Sequence, residues 1–317
     1  MAVTDVLVLR ALGVGDLLVS VPALRGLRRA FPRARLVLAA PAGLRPLVDL
    51  VGAVDDVLPT TGLGGLSWPG EPPAVAVNLH GSGPQSIDDL VATRPGRLLT
   101  HRHPGHPDLA GPAWRTDVHE AQRWCDLLAY YGISADRRDL ALARPEAGSP
   151  APDAVVLHPG AAYGSRRWPA DRFAAVGRAL AARGHRVVVT GNAAEYGLAK
   201  SVAEAAGLGE EAVLAGRTTL SEFAALIADA ALVVCGDTGA GHLATAYGTR
   251  SVLLFGPVTP AQWGPPPGTE DRHVALWRGS FADPFADEPD PGLLRITAED
   301  VLAAVRAPRP AGVPSAS

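Results

Sequence analysis

Cysteine is scarce: the 317 residues contain only Cys125 and Cys235. Two thiols so far apart exclude a disulfide framework and fit a reducing compartment, so the cytoplasm is the expected location. No C-x-x-C or H-E-x-x-H spacing occurs, which excludes the common zinc patterns. Lysine is almost missing. Lys200 is the single one, so nearly all positive charge is arginine, and together with the richness in Ala, Gly and Pro this resembles a GC-rich bacterial gene. No run of one charge sign occurs and the net charge is −3, which gives no support to a nucleic-acid partner or an anionic membrane surface. No apolar run reaches the roughly 18 residues of a spanning helix. The N-terminus enters "VTDVLVLR" without a basic-then-apolar signal segment.

What is present is a strong α/β rhythm. Apolar residues make up 47% of the chain, and the length suits two domains of about 150 residues each. Short Leu- or Val-rich runs predict strands over 6–9, 36–39, 54–58, 74–79 and 97–99, then over 154–157, 186–190, 212–214, 231–235 and 251–255. Helical periodicity predicts helices over 16–31, 44–51, 85–92 and 118–131, then over 171–183, 194–206, 220–228, 240–247 and 298–305. Nearly continuous apolar strands separated by helices indicate parallel sheets covered on both faces. The expected fold is therefore a doubly wound α/β architecture, present twice. The Pro- and Gly-containing stretch 142–153 reads as the linker. The stretch 257–291 is expected to be mostly irregular.

In open parallel sheets ligands bind beyond the carboxyl ends of the strands, and four stretches there carry chemistry. The first, "LRALGVGDLLVSVPALRGL", holds Gly15 and Asp16. The second, "VLHPGAAYGSRRWPADRF", holds Gly160, Ser165 and the guanidinium pair Arg166–Arg167, a charge type suited to a pyrophosphate. The third, "VVVTGNAAEYG", holds Gly191 and Glu195; the acid can accept from a ribose or simply favour a helix start. The fourth, "VCGDTGAGHLATAYG", holds Asp237, Thr238, Gly239 and His242. Its glycines allow close backbone approach and its helix opens with free amides, which suits phosphate. Each has a plainer alternative: Asp16, Asp237 or Thr238 as a helix cap, Arg166–Arg167 as a solvated pair, His242 as a packed histidine. Gly239, Gly241 and Ala244 fit a loose G-x-G-x-x-A, but the next strand ends "LLFGP" without the acid that a dinucleotide ribose needs. No G-x-x-x-x-G-K-[ST] is present either.

Taken in order, "GVGDLLVSVPAL", "HPGAAYGSRRWP" and "CGDTGAGHLATAYGTRSVLLFGP" resemble glycosyltransferase family 9, the heptosyltransferases that use ADP-heptose, over about residues 4–265. The resemblance implies a GT-B fold: two Rossmann-like domains with parallel sheets facing across a cleft. Residues 1–147 would bind the acceptor, 148–306 would bind the nucleotide sugar, and 307–317 would be a disordered tail. It implies inverting transfer of a heptose from ADP-heptose to an acceptor hydroxyl, with Asp16 as base and no metal or cofactor. The donor would be held by Gly160, Ser165, Arg166, Arg167, Gly191, Glu195, Asp237, Thr238, Gly239 and His242. Related enzymes often carry lysine where this chain has Arg166, which leaves Arg167 as a competitor for the diphosphate.

On the acceptor side the candidates are Gly15 and, in "NLHGSGPQS", His80, Ser82 and Gln85. The expected partners are a nucleotide-sugar donor and a hydroxyl-bearing glycan, lipid-linked glycan or secondary metabolite, with no nucleic acid and no spanning membrane segment. Two other readings stand beside this one: another GT-B enzyme such as an epimerase, and a catalytically silent nucleotide-sugar-binding protein.

Overall fold

The computed structural model describes residues 5–279 and 282–306; the expected tail at 307–317 lies outside them. The chain divides into two compact units, Met1–Ala143 and Arg144–Ser317. The boundary expected from sequence, at residue 147, falls four residues later.

Unit 1 runs β1 (Asp5–Leu9), α1 (Val14–Ala30), β2 (Arg35–Ala40), α2 (Arg45–Val51), β3 (Asp56–Pro59), β4 (Val75–Asn78), α3 (Gln85–Ala92), β5 (Arg97–Leu99) and α4 (Glu120–Tyr130). The sheet order is β3-β2-β1-β4-β5, and every pairing is parallel. The chain first builds outward from β1 through β2 to β3, then returns to place β4 on the other side. The strand order therefore reverses between β1 and β4, where Leu9 pairs with Asn78. Leu7 and Leu9 of β1, Ala39, Ala76 and Leu90 form one buried cluster, with Leu66 and Trp68 of the 62–73 loop packed against it.

Unit 2 runs β6 (Val155–His158), α5 (Ala170–Ala181), β7 (Val187–Val189), α6 (Tyr196–Ala206), α7 (Leu220–Ala228), β8 (Leu232–Gly236), α8 (Gly239–Tyr247), β9 (Ser251–Phe255), α9 (Pro260–Trp263), β10 (His273–Trp277), α10 (Pro291–Leu294) and α11 (Ala298–Arg306). Its order is β10-β9-β8-β6-β7, again all parallel. Here the reversal falls between β6 and β8. The central strands are fully buried, as their unbroken apolar sequences require. Among the described residues no helix is long and apolar enough to cross a membrane.

The structure departs from the sequence reading in two places. Residues 212–214 do not form a strand: a 3₁₀ turn (Glu210–Ala212) leads to a lone bridge between Val189 and Val213. Most described residues of the segment 257–291 are irregular, as expected, but the segment also holds a strand that the sequence reading did not include: His273–Trp277 forms the edge strand β10 beside β9, between the short helices α9 and α10. β10 carries the short apolar run Val274–Trp277, but as an edge strand it is only partly buried and it sits in a Pro- and Asp-rich stretch.

Glycine at position 26 inside α1 is explained by packing. A Cβ there would lie 2.9 Å from both the Ala135 Cβ and the Ser134 carbonyl oxygen, on the segment that follows α4. Alanine would gain about 1 kcal/mol in helix propensity, but overpacking against backbone typically costs about 1–3 kcal/mol. Gly26→Ala should therefore lower the urea midpoint; an unchanged or raised midpoint would show that this contact yields freely.

Candidate functional site

In unit 1 the residues singled out by sequence gather where the strand order reverses. β1 ends at Leu9, and Arg10 follows it directly with only 1% of its surface exposed. A buried guanidinium is costly unless every donor is used, and here each nitrogen has an acceptor. Nε donates to the Asp16 carbonyl at 2.9 Å, and Nη2 donates to Asp16 Oδ1 at 3.0 Å and to Glu120 Oε1 at 3.5 Å. Nη1 donates to the Leu79 carbonyl, and the Trp124 ring lies 4.9 Å from the guanidinium carbon. Asp16 is in the first turn of α1, yet it does not cap the helix. The N-cap residue is Gly13 and no side chain bonds to the opening amides. The capping alternative for Asp16 is thus replaced by an ion pair with Arg10.

His80 follows β4 beside this pair. Its Nδ1 accepts from the Ala11 amide at 3.2 Å, which places the proton of the neutral ring on Nε2. Burial, then the Arg10 charge, hold its pKa below the usual value. The loop is set by Asn78, whose buried amide donates to the Ser86 and Thr100 hydroxyls while its oxygen accepts from the His80 amide. Gly15 lies one residue before Asp16 in α1, Ser82 is half-buried in the His80 loop, and Gln85 opens α3 at the surface.

Sequence reasoning missed Arg10, Glu120 and Arg123. Glu120 Oε2 accepts from Arg123 Nε at 2.9 Å, and Arg123 stacks 4.1 Å from the Trp114 ring. The available signals were a charge abutting a buried strand and an acid–base pair three residues apart on α4.

In unit 2 the turns after β6 and β8 meet at the second reversal of strand order. Arg166 and Arg167 separate cleanly. Arg167 turns back on its own loop, donating through Nε and Nη2 to the Ala161 carbonyl at 3.0 and 2.8 Å. Arg166 instead places Nη1 3.4 Å from Asp237 Oδ2, near the Tyr163 ring, with a buried Nε that has no protein acceptor. Its main chain crosses the end of β8: a Cβ on Gly236 would lie 2.9 Å from the Arg166 carbonyl oxygen. Asp237 is buried, and His242 Nε2 lies 3.9 Å from its Oδ1. Thr238 is the N-cap residue of α8 but makes no side-chain cap bond. Gly239 is the first helical residue.

Two of the donor candidates have structural tasks. The Ser165 hydroxyl is buried and donates to the Pro284 carbonyl at 2.9 Å. Glu195 closes a capping box with Asn192, its Oε2 accepting from the Asn192 amide at 2.9 Å. It does so against bare backbone, because Cβ atoms on Gly160 or Gly191 would lie 2.1 Å from Glu195 Oε1 and 3.0 Å from its Cβ. Among the described residues no group of three His, Cys, Asp or Glu could hold a metal ion.

The profile of "Glycosyltransferase family 9 (heptosyltransferase)" matches residues 121–282, just over half of the chain. The chain belongs to glycosyltransferase family 9. It is 34% identical to lipopolysaccharide heptosyltransferase 3 of Escherichia coli K12 over 168 residues, 51% of this chain and 48% of that protein. It is 38% identical to lipopolysaccharide heptosyltransferase 1 of Pseudomonas aeruginosa over 135 residues, 42% and 35% of the two chains. Each match thus spans about half or less of the curated relative's length. Among solved structures, a family 9 glycosyltransferase of Veillonella parvula superposes with a TM-score of 0.77 at 20% identity, over 96% of this chain and 97% of that one. E. coli ADP-heptose LPS heptosyltransferase II gives 0.75 at 22% identity, over 95% and 97%. At these identities the likeness carries the α/β GT-B fold class alone.

The buried histidines give a pH prediction. Burial, then the Arg123 charge, push His101 down to about 4, and burial, then the Arg272 charge, do the same to His273. Their folded-state values lie below the unfolded value of about 6.5. Their neutral forms therefore stabilise the fold fully above about pH 6.5, and that contribution is lost as pH falls toward 4. Imidazole NMR should find both rings still neutral at pH 5; a His101 midpoint near 6.5 would contradict its burial.

Proposed function

We propose that the protein is an inverting, metal-independent glycosyltransferase that moves a heptose from ADP-heptose to an acceptor hydroxyl. The observation that carries this reading is the Arg166 guanidinium at Asp237, where β8 gives way to α8. Charge develops on a nucleoside diphosphate as it leaves, and fixed positive groups at that point lower the barrier. Arg166 supplies a full charge, and the opening amides of α8 supply donors and a partial one. These groups offset the leaving charge in the role that Mg²⁺ has elsewhere. Arg167, committed to Ala161, is the poorer candidate.

The acceptor oxygen attacks the anomeric carbon from the face opposite the diphosphate. The carbon–oxygen bond to the diphosphate breaks as the new one forms, ADP departs, and the hydroxyl proton passes to Asp16. A single displacement of this kind inverts the anomeric centre. Gly15, His80, Ser82 and Gln85 are the acceptor-side candidates, and the neutral His80 ring offers Nε2–H as a donor to a hydroxyl oxygen. The curated relatives are named for lipopolysaccharide; a glycan, lipid-linked glycan or secondary metabolite would meet the same chemistry here.

Three outcomes test the reading. Asp16→Asn should fold and bind ADP while losing at least about 10²-fold in turnover, the usual contribution of a positioned base; near-native turnover removes Asp16 from the mechanism. Arg166→Ala should weaken ADP binding about 10-fold or more, as expected for a charge-assisted contact. Arg167→Ala should chiefly lower the melting temperature, and the reverse pattern would transfer the diphosphate to Arg167. Turnover should survive EDTA, and a strict need for Mg²⁺ or Mn²⁺ would overturn metal independence.

A further inference from the structure

We propose that Arg10, braced by Glu120, is the positioning residue that aims the Asp16 carboxylate. The inference rests on Asp16 being the base.

Arg10 grips Asp16 twice, through the main-chain carbonyl at 2.9 Å and through Oδ1 at 3.0 Å. A fork closed on both groups of one residue fixes the χ1 of that residue as well as its place in the helix. The second carboxylate oxygen is left on the opposite side. Oδ2 lies 3.9 Å from the position a Cβ would take on Gly13, an exposed residue without a side chain. The Asp16 side chain is 29% exposed, against 1% for that of Arg10. One oxygen is therefore held by Arg10, while the other lies beside a residue without a side chain on a carboxylate that keeps part of its surface exposed, as a base that must receive a proton from outside requires.

Glu120 makes the grip rigid. Its Oε1 shares Arg10 Nη2 with Asp16, and its Oε2 takes Arg123 Nε. Arg123 in turn bonds the Arg115 carbonyl and lies against Trp114. Charge alternates along Asp16, Arg10, Glu120 and Arg123, so no member is buried uncompensated. The remaining nitrogen of Arg10, Nη1, donates to the Leu79 carbonyl, one residue before His80. The network thus ties three points of the chain together: the start of α1, the end of β4 and the first turn of α4. A clamp serving only stability has no need to engage the more exposed of the two carboxylates at the strand-order reversal, and buried ion pairs are in general weak contributors to stability.

Lysine at position 10 keeps the charge but cannot close a planar fork on two oxygens of one residue. Five proteins decide the matter: wild type, Arg10→Lys, Glu120→Gln, Asp16→Asn and the Arg10→Lys/Asp16→Asn double variant. ADP affinity, ADP release from ADP-heptose and melting temperature are measured on each. Arg10→Lys should bind ADP as the wild type does and release it about 10–10²-fold more slowly, the scale of loss from misplacing a catalytic group. Glu120→Gln should lose in the same direction and less, and it carries the test should Arg10→Lys not fold. The double variant should be no slower than Asp16→Asn alone, because aiming is lost on a group that can no longer accept a proton. The melting-temperature losses of the two single changes should likewise fail to add.

Losses that multiply in the double variant, or additive melting losses, would overturn the inference. Full turnover in folded Arg10→Lys alongside an impaired Asp16→Asn would overturn it while leaving the base intact. Full turnover in Asp16→Asn would remove the base, and the aiming with it.

Discussion

A parallel sheet covered by helices on both faces leaves no room for polar side chains along its central strands. Chemistry is forced to the carboxyl ends, and the structure obeys this at the four strands that flank the two reversals of strand order. Arg10 follows Leu9 directly, Asn78 closes β4, His158 closes β6 and Asp237 follows the last residue of β8. Where neighbouring strands lead their connections in opposite directions, their loops splay apart and leave a crevice. That occurs between β1 and β4 in one unit and between β6 and β8 in the other. Most of the candidate groups lie at those two places, while Gly191 and Glu195 follow the edge strand β7.

The two units handle a guanidinium removed from solvent differently. Every nitrogen of Arg10 donates to a protein acceptor, so its charge is engaged by neighbouring groups. Arg166 has one carboxylate near it and a buried Nε without a protein acceptor. Its charge is the more available to an incoming anion. Arginine suits both tasks because it stays charged when buried and presents several donors in fixed directions.

The C-terminal part of unit 2 is tied to the Arg166 turn. Ser165 donates its hydroxyl to Pro284 and its amide to Ala286, and its carbonyl accepts from Asp290. Trp168 Nε1 reaches the Ile296 carbonyl at 2.9 Å, and a Cβ on Gly164 would strike the Asp287 carbonyl. The segment around 284–296 therefore sets how the Arg166 loop is presented. The Ser165 hydroxyl fastens that segment to the loop.

Much of the architecture was legible because it rests on local signals. Buried parallel strands need continuous apolar runs, so β1, β2, β4, β6, β8 and β9 announced themselves, as did the helices between them. The Gly-Asp-Thr-Gly and Gly-Ser-Arg-Arg turns stood out because glycine and charge at strand ends are unusual in such a pattern. β10 was missed because its short apolar run lies within a Pro- and Asp-rich stretch that reads as a loop. The roles within the turns were not legible. Sequence could not choose between Arg166 and Arg167, since adjacent residues carry the same charge and only loop geometry sends one to Asp237 and the other back to Ala161. Nor could it join Arg10 to Glu120, 110 positions apart, because that ion pair exists only once α4 is folded beside the end of β1. The sequence by itself determined the rhythm of strands and helices and the composition of each turn, since these follow from burial and backbone preference along a short stretch. Tertiary structure alone decided which charges meet, since a buried ion takes its partner from whatever element the packing brings within reach.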